Sequence, residues 1–229
     1  MRLLSVDWDF FFPVPEIDKE FLYDWGHSEN PSIPNSILWN IRGVDFIQRN
    51  KPLPLTSGEE LNFWERFCFV PDVALYYADS HFNIYSAKVR KNITEIWNFD
   101  AHHDSYQTEK QMLDKGLITC ENWATLFSSI GIKVNTVYPQ WKKWAIKEDK
   151  PKGTIEKRRV DNKNKFQEHF DRIFVCRSGA WTPPWIDKYF WDFITKCPVK
   201  NKIKIDKISP IVFDNNEIIK IITLLKKNE

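Results

Sequence analysis

Hydrophobic and polar positions in the first half of the chain form three similar units, in which an apolar run ends in acidic and histidine residues. The units run from Leu3 to Asp9, from Val73 to His81 and from Ile96 to Asp104. Short apolar runs bounded by polar or turn residues predict buried strands. On this pattern we predict strands over residues 3–12, 73–78, 95–100, 133–138 and 172–177.

Helical patterns lie between and around these strands. We predict helices over residues 37–48, 57–67, 109–115, 121–130 and 216–227. Ser57 is the predicted N-cap of the helix that follows it, and Gly116 and Gly131 end the two helices that precede them. Strands that alternate with helices predict an α/β protein with a mostly parallel central sheet.

The chain is predicted to form a single domain over residues 1–229, which is long enough for an α/β domain with a substantial core. Residues 13–58 are irregular and contain many prolines, and we interpret them as a long loop region beside the active site. Residues 147–164 are rich in charge and contain Pro151 and Gly153. We predict a solvated, charged insert there.

Composition narrows the possible partners. Positive and negative charges nearly balance, leaving a net charge of +2, which is too weak a bias to favour nucleic acid or a membrane surface. No apolar stretch reaches the ~18 residues of a membrane span, and the N-terminus lacks a signal-peptide pattern, so we expect a cytoplasmic protein. The four cysteines contain no C-x-x-C pair, which disfavours a zinc ribbon.

Aromatic residues are unusually abundant, with 11 Trp and 17 Phe. One interpretation is a core built of aromatic rings. The other is an aromatic-walled cleft that holds a peptide. The composition leaves both open.

The polar ends of the three units suggest a metal site. In an extended strand, residues two apart face the same way, so Asp7 and Asp9 are expected to share one face. The same spacing relates Asp100, His102 and Asp104. Clustered carboxylates repel one another unless a cation neutralises them, and the carboxyl ends of parallel strands are where ligands bind in open α/β sheets. The simplest cation is a divalent metal.

The same residues carry a resemblance to a known family. The segment Asp100-Ala101-His102-His103-Asp104 resembles the Asp-Ala-His-x-Asp signature of the ureohydrolases, which include arginase and agmatinase. Asp79-Ser80-His81 is similar to the Asp-His that precedes this signature, and Asp7-Trp8-Asp9 resembles the family's Asp-x-Asp pair. That pair comes late in ordinary arginases and is N-terminal here. The resemblance covers the first half of the chain and implies a three-layer arginase/deacetylase-like fold that is circularly permuted.

The resemblance also implies a function. Two Mn²⁺ ions would be held by six ligands, namely Asp7, Asp9, His81, Asp100, His102 and Asp104, with Asp7 and Asp100 bridging both ions. Among ureohydrolases the chain looks most like the small peptide arginases, which convert peptidyl arginine to peptidyl ornithine and urea. The expected partner is therefore an arginine-containing precursor peptide, while the oligomeric state stays open.

Catalytic and substrate-binding residues are less well defined. Arginases carry a histidine shortly after the signature, but the corresponding segment 119–123 contains none. We take His27 and Glu121 as catalytic candidates, and Glu29 and Asn122 as substrate-binding candidates. Glu121 starts a predicted helix, where a glutamate either binds guanidinium through a bidentate pair or interacts with the helix dipole.

Other functions compete with this interpretation. A deacetylase-like amidohydrolase with one Zn²⁺ needs fewer carboxylates than the pattern supplies. A phosphatase with Asp7 as nucleophile leaves the Asp100 motif unexplained. A non-enzymatic peptide-binding module does not require a complete ligand set.

Overall fold

The computed structural model describes most of the chain. It covers residues 1–13, 53–115, 118–142, 145–148, 150–158 and 165–211, with single positions at 39, 43, 44, 46, 48, 216, 219, 220 and 223. His27, Glu29 and most of the predicted 13–58 loop lie outside the described residues. The described positions within the predicted helices at 37–48 and 216–227 are helical.

A seven-stranded sheet is the centre of the described structure. Its strands are β1 (Arg2–Asp7), β2 (Cys68–Ala78), β3 (Glu95–Phe99), β4 (Lys133–Val137), β5 (Ile155–Arg158), β6 (His169–Cys176) and β7 (Asn201–Lys204). Their order is β5-β4-β3-β1-β6-β2-β7, and every pair of neighbours is parallel. The prediction of an α/β protein with a mostly parallel sheet is confirmed.

Short helices connect the strands. The α-helices whose bounds lie within the described residues are α1 (Ala87–Arg90), α2 (Glu109–Lys115), α3 (Trp123–Ser129), α4 (Ala145–Glu148) and α5 (Asp187–Lys196). The 3-10 helices are Trp8–Phe11, Glu59–Arg66, His81–Tyr85, Gln140–Lys142 and Pro184–Ile186. Among the described residues, no helix combines the length and the apolar character needed to cross a membrane.

Each face of the sheet is covered by its own apolar core. Side chains alternate between the faces along a strand, so Leu4 and Val6 of β1 contribute to one core and Leu3 to the other. Helix α5 packs on the first core, and α3 on the second. Burial on both faces explains why the strands read as continuous apolar runs.

Most of the aromatic residues are accounted for by the first core. Trp8, Phe11, Phe63 and Phe193 are fully buried, and the Trp8 and Phe11 ring centroids each lie within 5.3 Å of that of Phe193. Burying a large apolar side chain contributes about 1.5–3 kcal/mol. For these residues the core interpretation of the aromatic content is correct.

The strand predicted at 3–12 is too long. β1 ends at Asp7, and a 3-10 helix follows at once. The Asp7 carboxylate accepts a hydrogen bond from the Asp9 backbone N–H at 3.1 Å and so caps that helix. A short acidic side chain that binds nearby backbone competes with continuation of a strand.

Two further local predictions need correction. The segment at 57–67 is a 3-10 helix whose N-cap is Gly58 rather than Ser57, with the left-handed φ of 83° that glycine tolerates. The predicted loop at 147–164 contains an ordered strand, β5. There Arg158 donates to Asn135 Oδ1 and lies over the Trp97 ring. The charged side chains of this segment therefore lie on an edge strand of the sheet.

Candidate metal centre

The polar ends of the three predicted units meet at the carboxyl edge of the sheet. β1 and β3 are direct neighbours, which brings Asp7 beside the loop that starts at Asp100. β2 is separated from β1 by β6. The 3-10 helix that begins at His81 carries the imidazole across this gap to Asp7.

Three carboxylates converge on one nitrogen of His81. Its Nδ1 lies 3.0 Å from Asp7 Oδ2, 3.0 Å from Asp104 Oδ2 and 3.3 Å from Asp100 Oδ2. A single imidazole N–H cannot satisfy three carboxylate oxygens. A divalent cation can bind all four groups at once, so the donor set fits a metal. We call these four residues the His81 group.

A second cluster lies beside the first. His102 Nδ1 lies 2.7 Å from Asp9 Oδ2 and 3.7 Å from Asp100 Oδ1. We call Asp9, Asp100 and His102 the His102 group. Asp100 belongs to both groups and presents a different oxygen to each imidazole. Within the described residues, two sets of possible ligand atoms are each compact. The atoms of Asp7, His81 and Asp100 lie within 4.8 Å of one another, and so do those of the His102 group.

The local geometry differs from the strand pairing expected from sequence. Asp9 lies in a 3-10 helix, and β3 ends at Phe99, one residue before the signature. The expectation that residues two apart share a strand face is therefore wrong for both motifs. Instead, Asp100 accepts a hydrogen bond from His102 N–H at 2.6 Å, and Asp104 adopts a left-handed φ of 47°. Tight turns, not strands, bring the ligands together.

Four neutral side chains orient the ligands. Ser5 Oγ lies 2.9 Å from His81 Nε2, Asn98 donates to Asp100 Oδ2 at 2.9 Å, Trp123 Nε1 donates to Asp104 Oδ2 at 2.6 Å, and Ser178 Oγ donates to Asp7 Oδ2 at 3.1 Å. Such partners fix the orientation of metal ligands. With a metal on Nδ1, His81 would carry its proton on Nε2 and donate it to Ser5.

Two of these partners had a signal in the sequence. Ser5 precedes Asp7 by two residues within β1, so strand alternation places it on the face of the sheet that carries Asp7, where it meets His81. Asn98 precedes Asp100 by two residues at the end of β3. Trp123 and Ser178 come from elements distant in sequence, and no local pattern identifies them.

Burial and charge strongly perturb the acidic groups. Burial, with repulsion from Asp9 and Asp100, raises the pKa of Asp7 well above its usual value. Burial and the Asp100 charge raise the pKa of Asp104 to about 7. Burial also opposes ionisation of Asp100, but its hydrogen bond to His81 and the charge of that imidazole lower its pKa to about 2. Without a cation, burial and mutual repulsion therefore favour the protonated forms of Asp7 and Asp104.

The neighbouring carboxylates raise the pKa of both histidines. Burial lowers the pKa of His81, but its contacts with Asp100, Asp104 and Asp7 outweigh this and raise the pKa well above 6.5. Burial and the Lys142 charge lower the pKa of His102, yet Asp9 and Asp100 leave it raised. Each imidazole sits in an environment that favours a positive charge.

A cavity of about 320 Å³ opens onto the centre. Its lining consists of Asp7, His81, His102, Asp104, Tyr106, Cys120, Glu121, Ser178 and Trp181. Glu121, predicted as a catalytic candidate, is therefore in the wall beside the metal ligands. Ser178, Trp181, Tyr106 and Cys120 were not identified as site residues from the sequence.

Asn122, a predicted substrate-binding residue, does not line the cavity. Asn122 is fully buried; its Oδ1 accepts from Thr119 N–H at 2.8 Å, and its Nδ2 donates to Gln107 Oε1 at 3.2 Å. It is not among the cavity-lining residues, and its amide closes the turn before α3. His27 and Glu29 are outside the described residues. Their proposed roles stay predictions.

Aromatic rings support the edge of the cavity. The Trp181 ring centroid lies 5.1 Å from that of His102. Tyr106, which is 46% exposed, lies with its ring centroid 4.1 Å from that of His103. His103 is buried and accepts a hydrogen bond from Ser105 N–H, so it packs behind the ligand loop.

The fold and the site define a parallel α/β protein with a candidate two-metal centre at the carboxyl edge of its sheet. No protein-family model matches the chain, and no curated protein or solved structure matches it either.

Proposed function

We propose that this protein is a binuclear manganese hydrolase that cleaves a guanidinium group, with the arginase/deacetylase-like three-layer fold in circularly permuted form. The observation that carries the proposal is the sharing of Asp100 between two adjacent ligand groups. A carboxylate with one oxygen toward each imidazole is suited to bridge two ions. The resemblance to the ureohydrolase motifs assigns the same six residues to such a pair.

The choice of metal follows from the donor atoms. Four carboxylates and two imidazoles form an oxygen-rich set without a thiolate, which suits Mn²⁺ better than metals that prefer sulfur. The four carboxylates also carry more negative charge than one divalent ion can neutralise. Two Mn²⁺ ions balance them, with Asp7 proposed as the second bridging ligand.

The bound ions would supply Lewis acidity and lower the pKa of water at the site. The chain's own contribution is to orient the substrate. Glu121 lies in the wall of the same cavity as the ligands His81 and His102. We assign its carboxylate to the guanidinium, because a carboxylate and a guanidinium form a planar, bidentate pair. Water would add to the guanidinium carbon Cζ, the Cζ–Nε bond would break, and Nε would take both protons of the water. The products would be urea and peptidyl ornithine.

Peptidyl arginine is the proposed substrate. Among the described residues that line the cavity, none is a lysine or arginine that would pair with the α-carboxylate of a free amino acid. An arginine within a peptide presents no such carboxylate. The mouth of the site carries Tyr106 and Trp181, which offer contact area for a peptide chain.

Mass spectrometry of an arginine-containing peptide incubated with the Mn²⁺-loaded protein tests the proposal. Addition of water and loss of urea together lower the peptide mass by about 42 Da. Urea released from free arginine as fast as from any peptide would contradict the peptide assignment alone. Release of acetate from acetyl-lysine, with no urea from any guanidine, would favour the deacetylase-like alternative with one Zn²⁺.

A further inference from the structure

Ser178 has an unusual backbone conformation for its residue type. It follows β6 and has a left-handed φ of 53°. Four described non-glycine residues have a positive φ, and the other three are Asp or Asn, namely Asp72, Asn92 and Asp104. Asp and Asn adopt this region more readily than other residues. A strained serine in the wall of the cavity therefore calls for a physical reason.

The surrounding structure fixes this conformation on both sides. The Ser178 N–H donates to Asp79 O at 2.9 Å. Its carbonyl accepts from Trp181 N–H at 2.7 Å and from Thr182 Oγ1 at 3.0 Å. Strained residues persist where neighbouring contacts determine them, and such residues concentrate at functional sites.

The consequence of this conformation lies at the metal centre. Ser178 Oγ donates to Asp7 Oδ2 at 3.1 Å, and the same oxygen lies 3.0 Å from His81 Nδ1. The other carboxylate oxygen of Asp7 accepts from Asp9 N–H. Both oxygens of Asp7 are therefore held, one by its own turn and one by a residue 171 positions away.

The same turn reaches the second ligand group. Trp181 N–H donates to the Ser178 carbonyl, and the Trp181 ring packs on His102. Residues 178–182 thus contact a ligand of each group. A change of backbone conformation at Ser178 would disturb both contacts.

We propose that Ser178 is a positioning residue for the metal centre, whose left-handed backbone aims its hydroxyl at Asp7 and fixes the orientation of that carboxylate as a metal ligand. This inference rests on the metal centre of the proposed function and not on the guanidinium chemistry. It predicts that the hydroxyl is needed for metal affinity, while the strained backbone lowers the stability of the metal-free protein.

Two substitutions separate these effects. Ser178→Ala removes the hydroxyl and keeps the strain, whereas Ser178→Gly removes the hydroxyl and relieves the strain. Asn92→Gly is the matched control, because it changes another left-handed residue that is exposed and far from the cavity. For each full-length variant, Mn²⁺ affinity is measured by calorimetry, Mn²⁺–Mn²⁺ coupling by electron paramagnetic resonance, and Tm without metal by calorimetric unfolding.

Both Ser178 variants are expected to bind Mn²⁺ about 10-fold more weakly or worse and to show an altered coupling signal. Ser178→Gly should have a Tm without metal at least as high as that of Ser178→Ala, and Asn92→Gly should retain the original affinity. Unchanged affinity and coupling in Ser178→Gly would overturn the inference even if Ser178→Ala fails to fold. Failure of the unsubstituted protein to bind Mn²⁺ would overturn the metal centre and this inference together, whereas Mn²⁺ binding without release of urea would contradict only the guanidinium chemistry.

Discussion

The His81 group and the His102 group share Asp100 but differ in their surroundings. The side chain of His81 is 1% exposed and faces three carboxylates, while that of His102 is 13% exposed and has one carboxylate within 3 Å. Lys142 adds a repulsive positive charge near His102. More anionic ligands in a more buried setting bind a cation more strongly. We therefore expect the first ion to bind tightly at the His81 group and the second ion to bind more weakly at the His102 group.

The largest effect is expected from the shared ligand. Asp100→Asn removes negative charge from both groups, so both ions should be lost, with affinity lowered by more than about 100-fold and activity abolished. Metal analysis of the purified variant measures this directly. Asp72→Asn is the control, because Asp72 is exposed on β2 and Asn also tolerates its positive φ. Full metal occupancy in Asp100→Asn would refute the shared site.

Substituting each histidine in turn should change the number of bound ions differently. His102→Asn should leave about one ion per chain, because the His81 group keeps all its ligands. His81→Asn should weaken binding of the ion at the His81 group, because it removes the nitrogen that faces Asp7, Asp100 and Asp104. Because Asp100 belongs to both groups, binding of the second ion should weaken as well. Metal-to-protein ratios measured after dialysis distinguish the two variants. Equal stoichiometry in both would contradict the proposed difference between the groups.

Substitution of Glu121 in the cavity wall should lower turnover without loss of metal. Glu121→Gln is expected to lower kcat/KM by about 100-fold while two Mn²⁺ remain bound, because the substrate loses its ionic partner but the metals do not. Asn122→Ala should instead lower Tm, since its buried amide holds Thr119 and Gln107. Kinetics with a peptide, metal analysis and thermal unfolding of both variants provide the test. A loss of metal in Glu121→Gln would indicate that Glu121 is a metal ligand and not a substrate-binding residue.

The last expected effect is the pH dependence of metal affinity. Without metal, the pKa of Asp104 is raised to about 7 and that of His81 is raised well above 6.5, so the protonated form of each group is favoured below this range. An ion binds only their deprotonated forms and must release these protons. Affinity should therefore fall as the pH falls through this range, by at most about tenfold per pH unit for each displaced proton.

Calorimetric Mn²⁺ titrations between about pH 6 and about pH 8, in buffers of different ionisation enthalpy, count the released protons. His102→Asn should still show release from the His81 group. Metal affinity independent of pH would mean that the ligands are already deprotonated in the metal-free protein.

Two strands that were predicted and one that was missed show what the sequence pattern can identify. The apolar runs that end at Asp7 and Asp100 predicted two strands of one mostly parallel sheet. The structure confirms both strands and shows in addition that they are direct neighbours. Periodicity succeeds there because a strand buried on both faces must be apolar throughout. The strand β5 was missed, because an edge strand with charged side chains lacks that signal.

The sequence alone determined the types of candidate ligand and the strands that lead to them, because apolar runs, turn residues and acidic motifs are local properties of the chain. Only the tertiary structure decided how the ligands are divided between two imidazoles and that Ser178 and Trp123 hold Asp7 and Asp104. It also decided that 3-10 and left-handed turns, not strand faces, orient the carboxylates. The physical reason is that these contacts join residues up to 171 positions apart, and burial on the folded sheet sets both their geometry and their charge.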